Sequence, residues 1–217
     1  MKIVAVVPIK LNNRRLPQKN IKTFTSGKPL CWYVLTTLLQ IEYIDEVYVY
    51  CSDEHIKEYI PKEVHFLKRD SSLDLDSTKM NEVLKAFSQD VEADIYVMTH
   101  TTAPFIEKES IEKGICAVRD KDYDSAFAAK RLQDFLWKDG KPFNYKLDNI
   151  PRTQDLPVIY EETSGFYIYK SEVLTKWNRR IGDNPYIVEV GEIESVDIDE
   201  EEDFIIADAI YNFVFKQ

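Results

Sequence analysis

The chain has 217 residues with 28 basic and 38 acidic side chains, a net charge of −10, and a composition that is 44% hydrophobic and 12% aromatic. That excludes a disordered or fibrous chain, and the negative balance argues against a nucleic-acid partner. No apolar run approaches the roughly 18 residues of a membrane span, so one domain over 1–217 with a small appendage and no membrane partner is expected.

Residues 2–8 read as a buried first strand, not as a signal peptide, because no small-residue cleavage site follows; this predicts a cytoplasmic protein. Cys31, Cys51 and Cys116 are odd in number and form no C-x-x-C, which predicts reduced thiols. The next segment holds Lys10, Arg14, Arg15, Lys19 and Lys22 with no acid, a local charge of +5. A loop after the first strand of an α/β sheet lies at the carboxyl edge, where ligands bind. The segment is neither G-x-G-x-x-G nor a Walker box, so an anion would be held by side chains; a solvated surface loop is the alternative.

Pro29 opens a helix whose apolar face is Leu30, Cys31, Val34, Leu35 and Leu38. Strands are predicted at 46–51 and 64–67, with a short helix between them capped by Ser52 or Asp53. Ser77 is the expected cap of a helix carrying Met80, Val83, Leu84 and Phe87. Residues 94–98 form a fourth strand, followed by a polar loop, 99–104, that aims His100 at the ligand edge. No Ser or Cys nucleophile arrangement accompanies His100 to support a catalytic role.

A helix with Ile111, Ile115 and Val118 and a strand at 125–129 follow. From about 130 to 162 the pattern lapses into turn residues and aromatics, which predicts an irregular excursion or hairpin. Regular structure resumes with a strand at 165–169, a helix capped by Ser171, a strand at 186–190 and a closing helix over 200–215. Before that helix, Asp197 and Asp199 alternate at strand period and could share Mg²⁺; equally, Asp199 and Glu202 have the spacing of a capping box.

Read together, residues 7–22 (Val-Pro-Ile-Lys-Leu-Asn-Asn-Arg-Arg-Leu-Pro-Gln-Lys-Asn-Ile-Lys) and Gly27-Lys28-Pro29-Leu30 resemble the opening signature of the acylneuraminate (CMP-sialic acid) cytidylyltransferases. Cys51-Ser52-Asp53, Arg69-Asp70, the 99–104 loop, Arg152-Thr153-Gln154-Asp155, Ser164-Gly165-Phe166-Tyr167 and Asp197-Ile198-Asp199 recur in the same order, so the resemblance spans the chain. It implies a three-layer α/β/α nucleotide-diphospho-sugar transferase fold, Rossmann-like and GT-A-like, with a mostly parallel sheet. It further implies a cytidylyltransferase coupling CTP to a nonulosonic 2-keto sugar acid with Mg²⁺.

By the same resemblance Lys10, Asn13, Arg14, Lys19, Asn20 and Arg69 would meet the nucleotide, with Lys10, Arg14 and Lys19 also serving catalysis. His100, Arg152 and Tyr167 would meet the sugar acid, and Asp197 and Asp199 the metal. A homodimer through the excursion is implied too, with Phe135, Trp137 and Phe143 as its apolar patch or as internal packing. The sequence departs from the signature where Lys10-Leu11-Asn12-Asn13-Arg14 replaces Arg-Gly-Gly-Ser-Lys, where His100 replaces Gln and where Ser164 replaces Asn. Alternatives are a related nucleotidyltransferase acting on another sugar acid or polyol phosphate, and a non-catalytic nucleotide-binding homologue. An unperturbed imidazole at position 100 would make binding of an anionic sugar weaken from pH 6 to 8.

Overall fold

A computed structural model describes residues 1–216. The apolar runs become a seven-stranded sheet: β1 (Ile3–Ile9), β2 (Glu46–Cys51), β3 (His65–Lys68), β4 (Ile95–Thr99), β5 (Ser125–Leu132), β8 (Ile159–Lys170) and β9 (Pro185–Val190). A hairpin of β6 (Trp137–Lys138) and β7 (Lys141–Pro142) stands outside it, turning through Asp139 and Gly140, both at positive φ. The helices are α1 (Leu30–Leu39), α2 (Met80–Asp90), α3 (Lys108–Asp120), α4 (Ser171–Trp177) and α5 (Glu201–Ile210).

The strand order is β3-β2-β1-β4-β8-β5-β9, and the pairing is parallel except where β8 meets β4 and β5. Alternation along β1 divides the core. Ile3, Ala5, Val7 and Ile9 pack with Val34, Leu35 and Leu38 of α1 and Ile111, Ile115 and Val118 of α3. Val4 and Val6 join Val83, Leu84 and Phe87 of α2 and Val173 and Leu174 of α4 on the opposite face. Two helical layers thus sandwich the sheet, as the α/β/α expectation requires.

A third cluster stands at the carboxyl edge: Leu16 and Phe24 of the basic segment, Phe105, Ile198, and Phe204 and Ala207 of α5. These residues are buried, so α5 is a strut across the edge that pins the basic loop to the 197–199 segment. The strand order reverses direction between β1 and β4, and the loops leaving these two strands diverge there. That divergence opens the crevice in which such sheets bind ligands.

Several local expectations are corrected. Lys79 and Lys170, in extended backbone, precede α2 and α4, so neither Ser77 nor Ser171 is an N-cap. The capping box of α5 is Glu200 with Asp203, one residue beyond the Asp199–Glu202 spacing, because Asp199 turns away to two cations. Residues 197–199 belong to no strand and pair in no sheet. The closing helix ends at Ile210 and continues as a π-turn over Tyr211–Phe215. Long β5 and β8 strands narrow the excursion to 133–158. Among the described residues no helix is long and apolar enough to cross a membrane, and the three cysteines are free, with burial pushing the Cys31 thiol up to about 12.

Candidate functional site

A cavity of about 300 Å³ opens at the switch point, lined by Lys10, Asn13, Lys19, Asn20, Arg69, Asp76, His100 and Thr101 among others. A second hollow adjoins it, walled by Lys10, Asn13, Arg14, Arg15, Lys19, Asp76 and Asp199. Six of the sequence-expected residues therefore meet in one cavity, and Arg14 borders the hollow beside it.

The basic loop holds its shape through side chains. Gln18 takes a left-handed conformation and starts a 3₁₀ turn over Lys19–Ile21, which buries Lys19 and Asn20. Asn20 Nδ2 donates to the Lys10 carbonyl at 2.7 Å and to Asn13 Oδ1 at 3.4 Å, while the Thr101 hydroxyl donates to Asn20 Oδ1. Asn20 thus staples the β1 loop to the β4 loop. Ile198 N donates to the Thr102 carbonyl at 2.9 Å, adding the 197–199 segment to the same seam. Lys19 Nζ crosses it, donating to the Ile198 carbonyl at 2.6 Å and to Asp199 Oδ1 at 3.3 Å. Glu194 braces the approach by accepting from the Glu107 amide at 2.9 Å and the Ser110 hydroxyl at 3.1 Å at the start of α3.

Two carboxylates here each face two cations. Asp76 accepts from Lys10 at 3.2 Å and from Arg14 at 2.7 Å; Asp199 meets Arg15 at 2.7 Å and Lys19 at 3.3 Å. An anionic ligand entering the crevice competes with these two carboxylates for the same cations. Asp76 carries no sequence motif and was not anticipated. Arg69 is buried and donates to Asp74 at 2.5 and 3.1 Å and to the Tyr50 carbonyl at 3.3 Å. A guanidinium has five N–H donors, so two remain for the cavity.

His100 ends β4. Burial above all, then the positive charges of Arg180 and Lys19, push its pKa down to about 4, with Asp199 opposing. It is a neutral imidazole between pH 6 and 8, so the titration expected for an ordinary histidine is corrected.

Arg152 and Tyr167 are not brought to the cavity within one chain. The Arg152 side chain is 73% exposed on the excursion and forks onto Asp155 at 2.8 and 3.1 Å. Tyr167 is buried, and its hydroxyl donates to Glu162 at 2.6 Å. Ile198 is buried between an exposed Asp197 and a half-buried Asp199. Among the described residues no third metal-ligating group joins them. Mg²⁺ commonly takes one or two protein carboxylates and fills its shell with water and substrate phosphate, so this donor pair fits such an ion.

Residues 4–195 match the profile of a family described as cytidylyltransferase. The N-acylneuraminate cytidylyltransferase of Streptococcus agalactiae is 22% identical over 216 residues, covering 94% of this chain and 52% of that protein. The pseudaminic acid cytidylyltransferase of Campylobacter jejuni is 26% identical over 187 residues, 79% of this chain and 80% of that protein. The chain spans about half the length of its N-acylneuraminate relatives. Among solved structures, a CMP:2-keto-3-deoxy-manno-octonic acid synthetase complexed with CTP aligns with a TM-score of 0.76 at 20% identity, over 98% of this chain and 99% of that one. This last likeness shows a common fold.

Proposed function

Because the chain belongs to the cytidylyltransferase family, we propose that it couples CTP to a nonulosonic, sialic-acid-like 2-keto sugar acid, giving the CMP-sugar and pyrophosphate. The observation that carries this reading is the Lys19 ammonium, buried at the switch-point crevice between the basic loop and the Asp199 carboxylate. Such an arrangement suits a triphosphate: cations are concentrated at the carboxyl edge, and their present partners are carboxylates that a stronger polyanion can displace.

In the proposed reaction the 2-hydroxyl of the sugar forms a new O–P bond at the α-phosphorus. The bond to the β-phosphate oxygen breaks, pyrophosphate leaves with the electron pair and the hydroxyl proton passes to water. Lys10, Arg14 and Lys19 would hold the phosphates in line and neutralise charge as it moves toward the leaving group. Asn13 and Asn20 would order the loop against the nucleotide, and the free donors of Arg69 would face it. Neutral His100 would offer the sugar a hydrogen bond without a charge. Asp197 and Asp199 would hold Mg²⁺, which when bound supplies positive charge against triphosphate oxygens. A homodimer through the excursion would cover Phe135, Trp137 and Phe143, which are exposed in the single chain.

The test is pyrophosphate release by the purified chain with CTP, UTP or ATP against N-acetylneuraminate, 3-deoxy-manno-octulosonate and pseudaminate, with and without Mg²⁺. Release that requires CTP, a sugar acid and Mg²⁺ is expected. Nucleotide binding with no release on any acid would leave a binding protein in place of an enzyme.

A further inference from the structure

Behind His100, outside the residues that line the cavity, stands a cation that no sequence motif announced. Helix α4 closes on Asn178 in a left-handed conformation, and the chain doubles back through Arg179 and Arg180. The turn that follows is built rather than loose. Asp124 accepts the amides of Asp183 at 2.8 Å and Asn184 at 2.9 Å, and the Ser125 hydroxyl accepts the Gly182 amide at 2.8 Å. A Cβ on Gly182 would overlap the Asp124 carboxylate, so the close approach requires glycine there.

This turn lays the Arg180 guanidinium over the Tyr167 ring, 3.9 Å from its centroid. Tyr167 pairs with Met98 and Phe166 with Thr99 across β8 and β4, so the stacked guanidinium lies beside the strand end from which His100 enters the cavity. Its carboxylate neighbour, Glu162, is 3.7 Å away, and the Tyr167 hydroxyl donates to that same oxygen at 2.6 Å. Arg180 is therefore oriented by an aromatic face while its charge is only loosely paired, and its side chain is 26% exposed. Arg152, by contrast, is already matched by a fork of bonds to Asp155 well out on the excursion.

We propose that Arg180 holds the carboxylate of the sugar acid from within the same chain, with His100 beside it, and that Tyr167 and Glu162 are its positioning residues. This rests on the sugar-acid reading above. A planar guanidinium offers two parallel donors to a carboxylate, which an ammonium cannot. The depressed His100 pKa, set first by burial and then by the positive charge of Arg180, agrees with this placement.

The experiment compares wild type with Arg180→Gln, Arg180→Lys and Arg152→Ala, using CTP with the three acids named above and, for N-acetylneuraminate, its C1 amide. Arg180→Gln should raise the KM for the acid about 10- to 100-fold while the KM for CTP stays within about twofold, and should abolish the preference for acid over amide. Arg180→Lys should restore part of that preference, and Arg152→Ala should keep it. A retained preference in Arg180→Gln, or equal rises in both KM values, would overturn the assignment. No turnover by wild type with any acid would instead overturn the sugar-acid reading itself, and the role of Arg180 with it.

Discussion

Lys19 donates from its ammonium to the main-chain carbonyl of Ile198, 2.6 Å away and 179 residues distant in sequence. The contact fixes the height of the positive charge in the crevice, because Ile198 is itself locked into the cluster with Leu16 and Phe204. A lysine held in this way loses little freedom when a phosphate arrives, which is the physical meaning of preorganisation.

Lys19→Ala should lower kcat by about 100-fold or more, with a smaller change in the sugar KM, as for an interaction strengthened in the transition state. Steady-state kinetics with CTP varied and then the sugar acid varied makes the comparison. A loss confined to the sugar KM would place Lys19 at the acceptor.

Asp76 neutralises Lys10 and Arg14 and stands where triphosphate charge would accumulate. Asp76→Asn should therefore tighten CTP binding about two- to fivefold at low salt, the scale of exposed ion pairs, and the gain should fade as salt rises. Calorimetric titration at two salt concentrations reads this out; weaker CTP binding would mean that Asp76 serves the ligand directly.

The His100 pKa of about 4 lies below the unfolded value of 6.5. The unfolded chain then binds more protons between these values, so stability is highest above pH 6.5 and falls as pH drops toward 4, by up to about 3 kcal/mol. Thermal melts should show less acid sensitivity in His100→Gln across that window. Between pH 6 and 8 the sugar KM of the two proteins should follow parallel profiles, since the imidazole does not titrate there.

Thr99 is fully buried, and its hydroxyl has no hydrogen-bond partner among the described residues. Replacing that hydroxyl with a methyl removes an unmet desolvation cost. Thr99→Val should raise Tm by about 2–4 °C, roughly 1 kcal/mol for a chain of this size. A lower Tm would show that the hydroxyl is satisfied in solution.

The layers were legible because buried parallel strands read as apolar runs, and the helices between them carry clear apolar faces. The carboxyl-edge position of the basic loop follows from that order alone. The caps were less legible: Ser77 and Ser171 have the right chemistry, but the backbone enters each helix through a lysine beside them. In the acidic run two residue pairs could close a capping box, and only the ion pairs of Asp199 with Arg15 and Lys19 decide between them. Arg180, Asp76 and the neutral state of His100 depend on which strands and loops become neighbours, which no local spacing encodes.

The cluster that ties Leu16 and Phe24 to Ile198, Phe204 and Ala207 is separate from the two sheet-facing cores. It joins the two ends of the sequence, so the chain can open there while the sheet remains intact. Amides of the basic loop, of the 197–199 segment and of α5 should accordingly exchange with deuterium as one cooperative unit, faster than those of β1 and β4. Occupancy of the crevice would slow all three together, and the C-terminal helix becomes a reporter of whether the phosphate loop is closed.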